Sequence, residues 1–237
     1  MRDLLESTAT PFRVVAYEPR ATIFQQGDRC DSVMHIESGR VWLAVRAPSG
    51  KEAICSLAGT GAFVGEEALT GCDERRQSAT AMMATQVVVV PVAPMTRLLR
   101  TQPGLLERFV AHLLARNLRL EDSLTEQLLY SSEQRLAHLL LVLANCDPRR
   151  PRRCALPVLP QEIIAEMVGT TRARVNAFMG KFKELGFVEE NRGVRHVNPA
   201  RLHVVDARDH LAKRRQITRD HLTPVRGAAR FANEARP

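Results

Sequence analysis

Long apolar runs are missing from this 237-residue chain. No stretch of 18 apolar residues occurs and the first 30 residues hold no signal-peptide core, which excludes a membrane-spanning helix and predicts a cytoplasmic protein. Cysteine is sparse and scattered. Cys30, Cys55, Cys72, Cys146 and Cys154 form no C-x-x-C pair and no cluster spaced for zinc or iron–sulfur ligation, so they read as buried or inert thiols. Catalytic signatures are lacking as well. The run Gly59-Thr60-Gly61-Ala62-Phe63-Val64-Gly65 misses G-x-G-x-x-G by one residue and has no βαβ unit around it. There is no P-loop lysine, no G-x-S-x-G and no H-E-x-x-H, and the neighbouring Glu66 and Glu67 point different ways, a poor acid–base couple. The sequence predicts no enzyme.

What is present is an uneven charge. The formal net charge is +8. Residues 1–100 carry 11 Lys/Arg and 11 Asp/Glu, residues 101–130 carry 3 and 4, and residues 131–237 carry 20 and 11. A neutral half joined to a basic half implies that one domain meets a polyanion and the other does not. No basic amphipathic helix rich in Trp and Leu stands out, so nucleic acid is favoured over a membrane surface.

Within the basic half, residues 161–186 read QEIIAEMVGTTRARVNAFMGKFKELG. Ile163, Ile164, Met167 and Val168 give one apolar helical face, and Gly169 follows. Val175, Phe178, Met179, Phe182 and Leu185 then give a second face at steps of three and four. Ala165 is small where two steeply crossing helices need close backbones. The pattern predicts a helix-turn-helix whose second helix, residues 171–185, enters a DNA major groove. Thr170, Thr171, Arg172, Arg174, Asn176 and Lys181 are the candidates for phosphate and base contacts. Phe187-Val188 and Val194–Val197 flank Glu190-Asn191-Arg192-Gly193, a hairpin that would form a wing offering Arg192 and Arg195 to the DNA backbone.

The neutral half has another rhythm. Short β-type runs at Phe12–Tyr17, Thr22–Phe24, Val33–Ile36, Val41–Val45, Ala53–Leu57, Ser78–Met83 and Val87–Val92 are punctuated by glycines about every ten residues, which predicts an antiparallel barrel or jelly roll. From Pro103 to Tyr130 the period becomes helical. Leu106, Val110, Leu113, Asn117, Leu120, Leu124 and Gln127 form a heptad seam suited to a two-fold homodimer, with Asn117 as a register-fixing polar position. A second stripe, Leu105, Phe109, Leu118 and Leu128, is expected to face the barrel. Another helix spans Ser131–Leu143, and residues 145–154, NCDPRRPRRC, read as an exposed loop. The fold class is therefore α+β. A barrel domain (1–102), a dimerisation helix (103–130), a winged helix-turn-helix domain (131–205) and a basic disordered tail (206–237) are expected.

A jelly-roll barrel, a dimerising helix and a winged helix-turn-helix, in that order, resemble the Crp/Fnr family of bacterial transcription regulators. The segments carrying the resemblance are YEPRATIFQQGD (17–28), VMHIESGRVWL (33–43), FVGEEALTG (63–71), SSEQRLAHLLLVLA (131–144) and QEIIAEMVGTTRARVNAFMGKFKELGFV (161–188). The resemblance implies a dimeric regulator bound to a roughly palindromic operator in double-stranded DNA, with RNA polymerase as a further partner. It also implies an effector pocket in the barrel for a cyclic nucleotide or cyclic dinucleotide. Family members hold the phosphate and ribose between the positions of Gly65 and Thr80. Gly65, Glu66, Glu67, Arg75, Arg76, Gln77 and Ser78 are accordingly the effector-binding candidates, with Glu66 accepting from a ribose hydroxyl and Arg75 or Arg76 pairing with the phosphate. Here the chain departs from the family pattern. Arg76 is followed by Gln77 instead of a small hydroxyl residue, and Leu120 and Glu121 stand where a hydroxyl pair reaches the base. The alternative is a loop closed on itself, with Glu66 and Arg75 or Arg76 as an internal ion pair.

In the recognition helix, Arg172 matches the Arg that many members place on guanine, but Ala173 replaces the Glu that often follows it. No cysteine cluster precedes Cys30 for an iron–sulfur sensor, and His35, His112 and His138 read as ordinary side chains rather than haem ligands. The rival function is a nucleotide-binding interaction module whose basic winged domain holds RNA or protein.

Overall fold

The computed structural model describes residues 1–144, 154–191 and 194–202. Arg192 of the expected wing, most of the proline- and arginine-rich loop and the basic tail lie outside the described residues. The N-terminal half contains strands β1 (Arg13–Tyr17), β2 (Thr22–Phe24), β3 (Ser32–Ser38), β4 (Arg40–Arg46), β5 (Glu52–Gly59), β6 (Phe63–Val64), β7 (Ser78–Ala81) and β8 (Thr85–Pro91). They form two four-stranded sheets ordered β1-β8-β3-β6 and β2-β7-β4-β5, and every pairing is antiparallel. The barrel is filled by Phe24, Met34, Ile36, Val41, Leu43, Val64, Val87 and Val89 from facing strands.

Two runs break the alternation expected of strands with one wet face. All four residues of Val87–Val90 on β8 are buried, and so are Val41, Trp42, Leu43 and Ala44 on β4. Continuous apolar runs mark strands covered on both sides. Helices α1 (Arg2–Ser7) and α2 (Val92–Thr101) and the start of α3 (Pro103–Leu129) cover the outside of the first sheet, where Val88 and Val90 meet Leu5, Met95, Leu98, Leu105 and Phe109. The second sheet is covered by the basic half. Trp42 and Ala44 share a core with Leu136, Leu140, Ile164, Val175, Phe182 and Val197, so one apolar cluster runs from the barrel into the DNA-binding half.

That half comprises α4 (Ser132–Leu143), β9 (Cys154–Ala155), α5 (Gln161–Val168), α6 (Arg172–Glu184), β10 (Val188–Asn191), β11 (Val194–Val197) and α7 (Pro199–Leu202). The wing is a three-stranded sheet, β10-β11-β9, because β9 adds to the expected hairpin through Val197↔Cys154 and His196↔Ala155. The reading of all five cysteines as inert thiols is corrected at Cys154, which is disulfide-bonded. Cys30, Cys55 and Cys72 are free, and burial raises the pKa of the Cys30 thiol, which disfavours its reactive thiolate.

Two expectations about α3 also change. Leu105 and Phe109 do face the barrel core, but Leu118 and Leu128 are 41% and 73% exposed and do not. The side of α3 that continues along the barrel carries Arg108, His112 and Arg116 instead. Among the described residues, no helix is long and apolar enough to cross a membrane.

Candidate DNA interface and effector pocket

Helix α5 stops at Gly169, whose left-handed backbone (φ 69°, ψ 44°) strains any residue with a Cβ. Thr170 N–H donates to Ala165 O at 3.0 Å, closing the turn. Thr171 then caps α6, its Oγ1 accepting from Arg174 N–H at 3.3 Å. Val175, Met179 and Phe182 pin one face of α6 against Ile164, Ala165 and Val168 of α5. The opposite face presents Arg172, Arg174, Asn176 and Lys181, all exposed. Leu185, counted from its spacing as part of the apolar face, is 46% exposed.

Two cations of this face, and Lys183 on the same helix, are engaged in ion pairs. Arg172 pairs with Glu162 at 2.7 Å, Lys181 with Glu133 at 2.8 Å and Lys183 with Glu190 at 2.7 Å. These pairs are solvent-exposed, or nearly so, and individually weak, so a DNA phosphate or base edge can displace them. Lys183 was not singled out by its spacing in the sequence, although it shares this helix. On the wing, Arg195 lies close enough to Glu190 to help, after Lys183, to hold its carboxyl below the usual range.

The barrel loop begins at Gly65 (φ 74°) and continues into a single 3-10 turn, Glu66–Thr70. A Cβ on Gly65 would lie 2.4 Å from Arg75 Nη1. The reason is that Arg75 is buried against this loop. Its Nη1 donates to Gly65 O at 3.0 Å, and its Nη2 donates to Ser32 O at 2.7 Å and Ser32 Oγ at 3.1 Å. Glu67 lies 3.7 Å away and the Phe24 ring stacks beneath the guanidinium at 4.5 Å. Arg75 therefore serves the fold and is not poised for a phosphate. Ser78 Oγ is likewise taken, accepting from Gln26 N–H at 2.9 Å, while Arg76 is exposed.

Glu66 does form an internal ion pair, but its partner is neither Arg75 nor Arg76. Arg116, reaching across from α3, pairs with Glu66 and places Nη2 3.5 Å from Gln77 Oε1. The expected pairing fails because Arg75 is held below the loop by Ser32 and Gly65, whereas α3 carries Arg116 to its open side. Beside this contact lies a cavity of about 600 Å³ between α3 and strands β3–β6. None of the seven effector-binding candidates lines it. Leu43, Leu57 and Phe63 supply its apolar wall, and Arg108, His112, Arg116 and Arg119 supply its polar one. Of the two loop arginines, Arg75 is thus committed to the fold and Arg76 is exposed. Sequence reasoning missed the α3 cations, although 108, 112, 116 and 119 recur at steps of four, four and three.

Burial pushes the His35 pKa down to about 4, and it lowers that of His112 as well. Between pH 6.5, the unfolded value, and 4 the unfolded chain binds more protons than the folded one, so acidification through that window weakens the fold. His35→Phe, which keeps the edge contact with Phe63 (ring centroids 5.1 Å apart), is expected to flatten the pH dependence of urea midpoints between 6.5 and 4. An unchanged slope would discount His35.

A family model of the cyclic nucleotide-binding domain matches residues 14–102, and one of the Crp-like helix-turn-helix domain matches residues 134–205. The cyclic AMP receptor protein of Thermus thermophilus is 30% identical over 187 residues, 78% of this chain and 84% of the relative. The chain belongs to the CRP/FNR family of transcription regulators. Other CRP/FNR members are similar along the chain. A CRP-like cAMP-activated global transcriptional regulator of Mycobacterium tuberculosis is 28% identical over 170 residues, 70% of this chain and 75% of its own. The c-di-GMP responsive regulator CLP of Xanthomonas campestris shares the fold, with a TM-score of 0.71 at 19% identity, covering 83% of this chain and 99% of that one. Like its CRP/FNR relatives, the protein is a DNA-binding transcription regulator, not an enzyme.

Proposed function

We propose that the protein acts as a homodimer joined along α3, reading a roughly palindromic operator with two copies of α6. The observation that carries this reading is the uncovered face of α3. Leu106, Val110, Leu113, Leu120 and Leu124 are between 37% and 61% exposed on a helix of 27 residues, roughly 40 Å long. Such a stripe on an isolated chain calls for a partner copy, and a two-fold axis matches symmetric DNA half-sites. Asn117 lies in the same seam, donating to Glu121 Oε1 at 3.1 Å.

Arg172, Arg174, Asn176 and Lys181 form the reading face, with Thr170 and Thr171 at its N-terminal end and Arg195 on the wing. Arg172 is placed to read guanine and Asn176 adenine, while the others hold phosphates. Arg172→Ala is expected to weaken binding to the specific site by roughly 5- to 150-fold per half-site, with far less effect on random DNA. Gel shifts at fixed salt measure both. Equal losses on the two DNAs would overturn the base-reading role and favour a general polyanion binder.

The barrel is the effector domain, and a nucleotide is the ligand class supported by the domain match and the pocket beside α3. The joint between α3 and α4 is the hinge. Ser131 forms a capping box with Gln134, and Arg135 donates both to Tyr130 O at 2.9 Å and to Val168 O at 3.1 Å, linking the end of α3 to the helix-turn-helix. An effector moves this joint only to the extent that it binds the two states with different affinity. Contact with RNA polymerase completes the proposal.

A further inference from the structure

We infer that Glu162 is a positioning residue for base reading, holding one edge of the Arg172 guanidinium so that the other edge is presented to the major groove. The inference rests on the reading of α6 as the helix that meets DNA bases, and it states how the first residue of that helix is aimed. Three observations carry it.

Arg172 opens α6 directly after the Thr171 cap, where the residues of a recognition helix contact base edges. Its side chain is long and rich in rotamers, so ordering it at the moment of binding opposes affinity. The adjoining Ala173 offers no acceptor to restrain it, and a restraint must come from another element.

Helix α5 supplies one. Glu162 Oε1 lies 2.7 Å from Arg172 Nη1. The pair spans the turn of the helix-turn-helix, and both of its ends stand on packed helices. Ile164, Ala165 and Val168 of α5 share a buried cluster with Val175 and Met179 of α6, while Gly169 and Thr171 fix the turn between them. The fold therefore sets where the carboxylate stands, as support for a binding side chain requires.

One contact does not use up the arginine. Its side chain remains 65% exposed, and a guanidinium carries five N–H donors in a rigid plane. With Nη1 on Glu162, the edge formed by Nε and Nη2 is the one left for guanine O6 and N7. The other pairs of α6 differ in this respect. Lys181 with Glu133 and Lys183 with Glu190 join compact ammonium groups, whose rotating donors have no second edge to aim. On random DNA the same carboxylate works against binding. Swinging Arg172 onto a phosphate breaks the pair and leaves Glu162 beside the backbone, a repulsive element that disfavours the pose without base contacts.

The test uses the full-length protein, a duplex that it selects from a randomised pool and a random duplex, with thermal melts confirming that each variant is folded. Each G·C pair of the selected duplex is replaced in turn, in both half-sites, and discrimination is read by fluorescence anisotropy. Glu162→Ala is expected to weaken binding to the selected duplex by about two- to tenfold per half-site. It should lower discrimination at the G·C pair that Arg172→Ala erases and leave the other pairs unchanged. Glu162→Gln, which keeps an acceptor oxygen without the charge, should fall between wild type and Glu162→Ala. On random DNA both changes should tighten binding and steepen its salt dependence by up to about one phosphate contact per subunit. In an Arg172→Ala background, Glu162→Ala should no longer alter discrimination at any pair. Discrimination that is unchanged in Glu162→Ala, or lowered at all pairs alike, would overturn the inference and leave Arg172 as the base reader. If the protein selects no duplex, or Arg172→Ala erases discrimination at no pair, the base-reading role and the inference fall together.

Discussion

Placing glutamate at both Leu113 and Leu124 is expected to turn the protein into a monomer that no longer holds its operator. The two leucines lie three helical turns apart on the exposed seam of α3, and neither contributes to a core of the isolated chain. Each burial of a leucine is worth about 1.5–3 kcal/mol. Two positions on two subunits therefore remove about 6 kcal/mol or more before the cost of confining four carboxylates is added, which is at least four orders of magnitude in dimer affinity. Because these side chains are exposed in the monomer, the fold of each subunit should survive, and melting curves should stay within about 1 kcal/mol of the stability of an isolated subunit. Sedimentation at micromolar concentration tests the state of assembly, and a palindromic duplex tests the consequence. A variant that still sediments as a dimer with unchanged DNA affinity would remove α3 as the dimer contact.

Phe182→Ala should act on the fold instead. Phe182 is fully buried in α6 and sits in the same cluster as Val175, Met179 and Leu136, with the ring of Phe187 6.0 Å away. Truncating a phenylalanine in such a place costs about 3–5 kcal/mol, since the neighbours close only part of the cavity. That is a large share of the roughly 5–15 kcal/mol that stabilises a typical domain, so the recognition helix should lose its support before any DNA contact is touched. The chain supplies its own reporter. Trp42 is its single tryptophan and is 6% exposed, sealed between β4 and the DNA-binding half. Urea titration followed by Trp42 fluorescence should show an earlier red shift in the variant. Coincident transitions in variant and wild type would show that α6 packing contributes little, and an early shift in Trp42 alone would show that the basic half detaches while the barrel persists.

The interface that reports this change has an acidic component of its own. Glu166 of α5 has its carboxyl pKa raised, first by burial and then by the nearby Glu52 of β5 and Glu162. A carboxyl raised in the folded state contributes best when protonated, so this contact weakens as pH rises through the shifted value. It runs opposite to His35, whose contribution is lost on acidification, so the two effects separate by direction when the barrel and the domain interface are followed independently.

Much of the architecture was legible in the sequence because the backbone demands were local. Gly169 must take a left-handed turn, the apolar steps on either side of it run at helical spacing, and glycines recur between short strands. Local demands also made the heptad seam visible. Helix α2 and strand β9 were missed. The run Val87–Val92 passes from strand to helix without a break in hydrophobicity, and β9 has only two residues and is defined by its partner. The runs VVVV and VWLAV are ambiguous in isolation. They become intelligible once helices lie on one sheet and the DNA-binding half on the other.

The site was less legible than the fold. Arg75 and Arg76 are adjacent in sequence and chemically identical, yet one is buried under the loop and the other is exposed. Only the path of β3, which brings Ser32 beneath the loop, separates them. Leu118 and Leu128 match the spacing of a barrel-facing stripe, but α3 turns Arg108, His112 and Arg116 to that side instead. By itself the sequence determined the order of barrel, long helix and helix-turn-helix, since each follows from periodicity and turn chemistry along the chain. Which cation meets Glu66 was decided only by tertiary structure, because Arg116 lies 50 positions away and the pairing depends on how α3 crosses the barrel.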